Sequence, residues 1–141
     1  MKTIPMLLAV CALCAGCASV EISSPGSVHP LAIGGGSHPG DRAVVVSDIG
    51  YHLFRSIPLG SGDLRWDEEK NDVAGGAVLF SNQARIDNCY AALQRVAERE
   101  NCDLVNVSFT DPSNLNLEFV ILGYDEIQAS AILRPRTTEN K

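Results

Sequence analysis

One stretch of the chain, residues 81–100, repeats its apolar side chains at the spacing of an α-helix and constrains the fold more than any other segment. Ser81 or Asn82 can cap its first free backbone N–H groups, and Asn101 follows its last turn, so we expect a helix that ends near Glu100. Its apolar stripe is formed by Ile86, Cys89, Leu93, Val96 and Ala97. Because polar residues fill the remaining surface, this helix should lie against a sheet rather than cross a membrane.

Stretches typical of strands surround the helix. Residues 43–49 are rich in β-branched side chains, and residues 103–110 alternate, with Val105, Val107 and Phe109 expected on one face. After the helix and this strand, the Asp-Pro-Ser-Asn sequence that begins at Asp111 predicts a turn.

Two more strands are predicted at residues 115–122 and 126–134, and Gly123 between them can mark a bulge in one long strand. The order strand, helix, strand, strand predicts an α+β fold. In this fold one amphipathic helix packs on a small, mainly antiparallel sheet of three to four strands.

Two segments, residues 60–63 and residues 67–72, are expected to form loops. Residues 60–63 (Gly-Ser-Gly-Asp) lack the later Gly and the Lys-Ser/Thr of a phosphate-binding loop. The acidic residues 67–72 lack the Asp-x-Asp-x-Asp-Gly spacing of a calcium loop, so a solvated surface loop is favoured there.

The N-terminus has the features of a secretory leader. Lys2 precedes an apolar run at residues 6–15, which at about 10 residues is too short for a bilayer core that needs about 20. Cys14-Ala15-Gly16-Cys17 resembles the bacterial lipobox, in which the last cysteine receives lipid. The leader at residues 1–16 should be removed and Cys17 should carry acyl chains such as palmitate; the alternative is an ordinary signal peptide that releases a soluble protein. By resemblance to Gram-negative lipoproteins, Ala18 after that cysteine favours the outer membrane.

The rest of the chain divides into a linker, a domain and a tail. Residues 17–42 are rich in Gly, Pro and Ser, which predicts a flexible tether after the lipidated Cys17. His29 and His38 lie in this tether, where solvated side chains are favoured over metal ligands. We expect the folded domain at residues 43–136 and a disordered tail at residues 137–141.

The charge of the chain argues against nucleic acid as a partner. The net charge is −6, and removal of the leader deletes only Lys2 among the charged residues, which leaves about −7. No cluster of Lys and Arg interrupts this acidic surface.

Only Cys89 and Cys102 remain in the mature domain, because Cys11 and Cys14 leave with the leader and Cys17 takes the lipid. The helix should hold these two thiols about 20 Å apart, which excludes a bridge between them. Buried thiols are favoured; a bridge to another molecule through Cys102 and a metal or redox role are the alternatives.

The sequence contains no Gly-x-Ser-x-Gly elbow, no His-Glu-x-x-His zinc site and no paired-carboxylate signature, and the mature chain contains no Cys-x-x-Cys. His52 and Cys89 could form a nucleophile pair, but their spacing does not support one. Tyr51 and Trp66 are the residues that we select as possible contacts with a partner, with packing in the core or a loop as the alternative.

Residues 93–110 (LQRVAERENCDLVNVSFT) and 124–134 (YDEIQASAILR) resemble the core of the YbjQ-like domains and, more distantly, an RcsF-like core of outer-membrane stress-sensor lipoproteins. The shared motifs are structural. The resemblance implies a fold and an alternative function as a metal-binding or small-ligand-binding domain, with no ligand set that maps onto residues of this chain.

Together these features predict a lipoprotein of the cell envelope, held in the outer membrane and facing the periplasm. We expect a non-enzymatic module without a cofactor that binds an envelope protein or senses the state of the envelope. Free sheet edges also permit homo-oligomers. An enzyme is the third hypothesis.

Overall fold

The computed structural model describes residues 18–24, 38–54, 56–110 and 122–136. In this part of the chain 56% of the residues lie in strands and one helix is present, so the protein is mostly β. The expected α+β fold with three to four strands is therefore wrong. The larger sheet has six strands, and a second sheet has two.

The described elements follow one another along the chain as β1 (Ala18–Ile22), β2 (Arg42–Leu53), β3 (Ile57–Gly62), β4 (Trp66–Asp67), β5 (Asp72–Val73), β6 (Ala77–Leu79), α1 (Ile86–Arg99), β7 (Cys102–Thr110) and β8 (Leu122–Pro135). The larger sheet has the order β6-β3-β2-β8-β7, with β1 also paired to β2, and β4 pairs with β5. All of these pairings are antiparallel.

Strand β2 is the centre of the larger sheet. Its partner β8 pairs with it from Arg42 to Leu53 and fills one edge. Strands β1 and β3 therefore share the other edge, where β1 pairs with residues 44–48 and β3 with residues 50–53. The end of β3 meets the beginning of β1 at this junction, because Gly62 lies against Ala18.

Segments that the sequence assigned to loops and to the tether explain why the sheet is larger than expected. The flexible-tether prediction is wrong for Ala18–Ile22, which forms β1. Its alternating Ala-Ser-Val-Glu-Ile places Ala18, Val20 and Ile22 against the core, and Ser19 on the other face shares a hydrogen bond of 2.8 Å with Ser47. The many Gly, Pro and Ser residues of the segment 17–42 led to the tether prediction and concealed the short alternation at Ala18–Ile22.

The loop prediction for residues 60–63 is also wrong for the part that belongs to β3. Gly60 and Gly62 have no side chains, and this allows the strand to pass close to its neighbours, which are the backbone of β6 and the first residue of β1. The acidic residues 67–72 connect the two short strands of the β4–β5 hairpin.

Helix α1 begins later than expected, at Ile86. The Oδ1 atom of Asn82 accepts a hydrogen bond of 3.0 Å from the amide of Ala84, which forms a turn ahead of the helix rather than its cap. The predicted stop is confirmed, since Asn101 takes the left-handed conformation with φ of 51°. The buried stripe contains Cys89, Ala92, Leu93, Val96 and Ala97, whereas Ile86 is exposed.

Strands β7 and β8 confirm the predicted strands at residues 103–110 and 126–134. The face predicted for Val105 is wrong, because the pairing shifts register between Val105 and Ser108 and Asn106 has a φ of 53°. Val105 therefore lies on the face opposite to Val107. Gly123 lies inside the continuous β8, and its pairing with β2 shows no register shift. Apart from Leu122, the strand predicted at residues 115–122 lies outside the described residues.

The hydrophobic core lies between α1 and one face of β2, β8 and β7. Leu64, Trp66 and Val73, from β4–β5 and the segment before it, pack against the same core. The helix and the β4–β5 hairpin therefore cover this face side by side, and the groove described next lies between them.

Candidate functional site

A groove of about 280 Å³ separates the start of β4 from the outer side of α1. Its lining combines one aromatic ring, two guanidinium groups and two side-chain amides with small apolar residues of the helix. The lining residues are Leu64, Arg65, Trp66, Gln83, Asn88, Ala91, Ala92 and Arg95.

Asp63 fixes the wall of the groove formed by residues 64–66. Its carboxylate accepts hydrogen bonds from the backbone amide, Nε and Nη2 of Arg65 at 3.0, 2.8 and 2.6 Å. The guanidinium of Arg65 lowers the pKa of Asp63 through these hydrogen bonds. Backbone hydrogen bonds with Gly75 and Gly76 connect Asp63 to the chain that follows β5. Arg65 is thus held at the mouth of the groove.

Trp66 is half-buried, with one side on the core and part of its ring in the groove. The guanidinium of Arg99 lies 5.9 Å from the ring centroid. Arg99 also pairs with Asp72 at 3.0 Å and with Glu100 at 3.1 Å. These contacts connect the β4–β5 hairpin to the last turn of α1, so the ring keeps a fixed position.

The segment before α1 forms the other wall. The amide of Gln83 donates a hydrogen bond of 2.8 Å to Ser61 Oγ, and Asn88 Nδ2 donates one of 2.7 Å to the carbonyl of Gln83. A more open depression of about 520 Å³ continues past this wall, lined by Arg65, Asn82, Gln83, Arg85, Asp87 and Asn88.

The groove can hold an extended polar chain with an apolar side group. Guanidinium groups donate hydrogen bonds, side-chain amides donate and accept them, and an indole ring provides flat apolar contact area. Arg65 and Arg95 already pair with Asp63 and Glu98, at 2.6 and 3.5 Å, so the surface is not strongly cationic. This favours a peptide segment over a highly charged anion.

Tyr51 and Trp66, the predicted contact residues, do not form one site. Tyr51 is half-buried on the face of the sheet away from the helix, with its ring centroid 6.4 Å from that of Tyr124. Trp66 packs on the opposite face. Sequence reasoning did not identify Arg65 or Arg95 as groove residues, because the fold alone brings residues 64–66 beside residues 83–95.

Cys17, the predicted lipid attachment residue, lies outside the described residues. Its neighbour Ala18 is the first residue of β1 and pairs with Asp48. The predicted attachment residue therefore directly precedes a paired residue of the sheet in the sequence.

Asp48 is fully buried beside the junction of β1 and β3. One carboxylate oxygen accepts a hydrogen bond of 2.9 Å from the amide of Gly62, and the other has no partner among the residues that the structure describes. Burial raises the pKa of Asp48 to about 6. Its position inside the β-branched run at residues 43–49 was the signal that sequence reasoning overlooked.

Both cysteines of the domain are free and buried, which confirms the prediction of buried thiols. Burial and the nearby carboxylate of Asp48 raise the pKa of Cys89 to about 12. His52 instead has its Nδ1 atom 3.6 Å from Asp125 and lies over Gly123, about 13 Å along β8 from the strand position beside Cys89. The structure therefore does not bring His52 and Cys89 together.

Within the described ranges, no group of three or more His, Cys, Asp or Glu side chains is placed to hold a metal ion. His38 donates its backbone amide to Asp41, and His29 lies outside those ranges. The described part of the chain also contains no helix with the length and hydrophobicity that a membrane crossing requires.

No family model, curated protein or solved structure matches this chain. The resemblance to the YbjQ-like domains therefore stays a prediction from the sequence.

Proposed function

We propose that this protein is a membrane-anchored bacterial envelope lipoprotein and that its domain is a non-enzymatic module that binds an envelope protein. Lipid on Cys17 holds it in the outer membrane, where it faces the periplasm. The observation that carries the proposal is the pairing of Ala18–Ile22 with β2, which makes the residue after the lipobox cysteine part of the sheet. Cleavage before Cys17 leaves every described strand intact.

The groove beside Trp66 supports the binding part of the proposal. It is open, its walls are held by hydrogen bonds, and its side chains suit a peptide. By contrast, the two groups with the largest upward changes in pKa, Asp48 and Cys89, are completely buried and face away from solvent. A substrate cannot reach them, and this argues for binding rather than catalysis.

Metabolic labelling with palmitate tests the attachment. We expect label in the wild-type protein and in the Cys11→Ser variant, because Cys11 belongs to the leader. We expect no label in Cys17→Ser. Equal labelling of Cys17→Ser and the wild type would refute lipidation at this residue.

A photo-crosslinking amino acid at Ala91 tests the groove. Ala91 is exposed and lines the groove, whereas Gln94 is exposed on the same helix outside it. A protein adduct at position 91 that is absent at position 94 supports the proposal. The same adducts at both positions, or none at either, would contradict it.

A further inference from the structure

Four large apolar side chains are exposed close together at one end of the sheet. Phe54, in the turn after β2, is 59% exposed, and Ile57, at the start of β3, is 53% exposed. Leu79 and Phe80, at the end of β6, are 49% and 80% exposed. We call these four residues the tip cluster.

Backbone pairing places the members of the tip cluster next to one another. Leu79 pairs with Gly60, and the amide of Phe80 donates a hydrogen bond of 3.0 Å to the carbonyl of Leu59. Ile57 lies two residues before Leu59 on β3 and pairs with Leu53, the residue before Phe54. The cluster is therefore one continuous surface across β2, β3 and β6.

Two tyrosines extend this surface across the face of the sheet away from the helix. Tyr51 pairs with Gly60 on one side and with Tyr124 on the other, so Tyr124, Tyr51 and Leu79 form a row across four strands. Tyrosine has an apolar ring and a polar hydroxyl, which suits the boundary between lipid and water. The predicted contact residue Tyr51 thus belongs to the margin of the tip cluster.

The backbone at the two phenylalanines is unusual. Phe54 and Phe80 have φ values of 49° and 57°, in the left-handed region that bulky residues rarely adopt. Glycine or asparagine would take these conformations at lower cost. An exposed phenylalanine at such a position contributes nothing to the core, and this points to a role for the ring at the surface.

The start of β1 identifies what covers this surface. Strand β1 runs antiparallel to β2, so the chain enters β1 from the end of the sheet where β2 turns into β3. Asp48, the partner of Ala18, is about 17 Å along β2 from Leu53. Cys17 directly precedes Ala18 in the sequence. A lipid on Cys17 would therefore hold the bilayer within reach of the tip cluster, without a flexible spacer.

We propose that the tip cluster and Tyr51 form a second membrane contact, inserted into the interfacial layer of the bilayer beside the lipid anchor. This inference rests on the proposed lipidation of Cys17. The mature chain is acidic, so the contact depends on burial of apolar side chains rather than on attraction to anionic headgroups. It leaves the groove at Trp66, on the other face of the sheet, open to a partner.

Fluorescence quenching by lipids with brominated acyl chains tests this contact. Trp66 is the only tryptophan of the chain, so a Trp66→Phe background allows one new indole to be followed at a time. Phe80→Trp and Ile57→Trp place the indole in the tip cluster. Phe109→Trp places it on β7, at the opposite edge of the sheet, and is the matched control.

The lipidated full-length mature protein is reconstituted in phosphatidylcholine vesicles with and without bromine. We expect quenching of Phe80→Trp and Ile57→Trp to exceed that of Phe109→Trp by at least about twofold, since an interfacial segment is buried about 5–10 Å deep. Equal quenching at all three positions would overturn the inference. The same result is expected if the tip cluster binds a protein instead of the bilayer.

The intact mass of each preparation separates the two proposals. If the mass shows no lipid on Cys17, both the proposed function and the membrane contact fail. If the lipid is present and the three indoles are quenched equally, only the membrane contact fails.

Discussion

The carboxylate of Asp48 accepts a hydrogen bond of 2.9 Å from the backbone amide of Gly62, at the point where β1 and β3 meet on one edge of β2. This contact joins a buried ionisable group to the end of β3, which lies against Ala18 of β1. A hydrogen bond to a charged acceptor is strong, but a fully buried charge is costly when one oxygen has no partner. The protonation of Asp48 should therefore affect how firmly β1 is held.

We predict that the Asp48→Asn variant is more stable than the wild type at pH 8 and that the difference decreases in acid. The pKa of Asp48 is raised from 3.8 to about 6, so the penalty for the buried charge is absent below the ordinary pKa and complete above about 6. The difference should be of the order of 3 kcal/mol, because the pKa rises by about two units and one unit corresponds to about 1.36 kcal/mol.

Urea unfolding of both proteins between pH 4 and 8 measures this difference. The guanidinium of Arg65 lowers the pKa of Asp63, the other acid that affects Asp48, so Asp63 gives up its proton at a lower pH than Asp48 does. Parallel stability curves for the two proteins would show that Asp48 does not titrate as described.

We predict that Gly62→Ala separates β1 from the sheet. An added Cβ atom would lie 2.5 Å from Asp48 Oδ1 and 2.6 Å from the backbone nitrogen of Ala18, so one strand must shift. We expect a loss of about 1–3 kcal/mol in the free energy of unfolding, as for other overpacked sites. Hydrogen exchange at the amides of Ala18–Ile22 should accelerate.

The control for this experiment is Gly76→Ala, since no atom lies within 4 Å of a Cβ at that position. We expect it to change stability by less than about 0.5 kcal/mol. If both alanine variants behave alike, close packing at Gly62 does not hold β1 in place.

Local patterns allowed the sequence to predict β7, most of β8, the helix stripe and the buried thiols. In these segments the side chains alternate with the period of a single strand or repeat with the period of a single helix. The six-stranded sheet was missed because Ala18–Ile22 and Ile57–Gly62 are short strands rich in small residues. Ala18–Ile22 is stabilised by long-range pairing with β2, which local composition does not encode. Ile57–Gly62 forms a hairpin with β2, but Pro58, Gly60 and Gly62 give it the composition of a loop.

Little of the candidate groove could be predicted from the sequence. Trp66 could be selected from its residue type, but Arg65, Gln83 and Arg95 acquire a common surface only when the β4–β5 hairpin packs beside α1. The position of Val105 shows the same limit, because one extra residue in β7 reverses the face of the strand.

We predict that the ion pair between Asp41 and Arg134 supports the fold. Asp41 is buried and accepts two hydrogen bonds from Arg134, at 3.1 and 3.0 Å, which lower its pKa. Arg134→Met should cost about 2–4 kcal/mol at neutral pH, because it leaves a buried carboxylate without its cation. The loss should shrink as the pH falls below the ordinary pKa of 3.8 and Asp41 takes up a proton.

Arg136→Met is the matched control for this ion pair. Arg136 contacts Asp103 at 2.8 Å, but both side chains are largely exposed, and such pairs contribute less than about 1 kcal/mol. Thermal or urea unfolding compares the two variants. An equal effect of both substitutions would contradict the special role of the Asp41 pair.

We predict that neither cysteine of the folded domain reacts readily with iodoacetamide. Cys89 and Cys102 are buried, and the pKa of Cys89 is raised to about 12, which leaves only about one thiolate in 10,000 at pH 8. Mass spectrometry should detect no alkylation of the native protein within an hour and alkylation of both residues in urea. Rapid labelling of the native protein would show that these thiols are accessible.

We propose that the mature protein begins at a lipid-bearing Cys17, one residue ahead of Ala18 in β1. The intact mass of the protein extracted from its own membranes is the decisive measurement. We expect the mass of residues 17–141 plus a diacylglyceryl group and an additional acyl chain on Cys17. A mass equal to that of an unmodified polypeptide, or a chain cleaved at another residue, would contradict it.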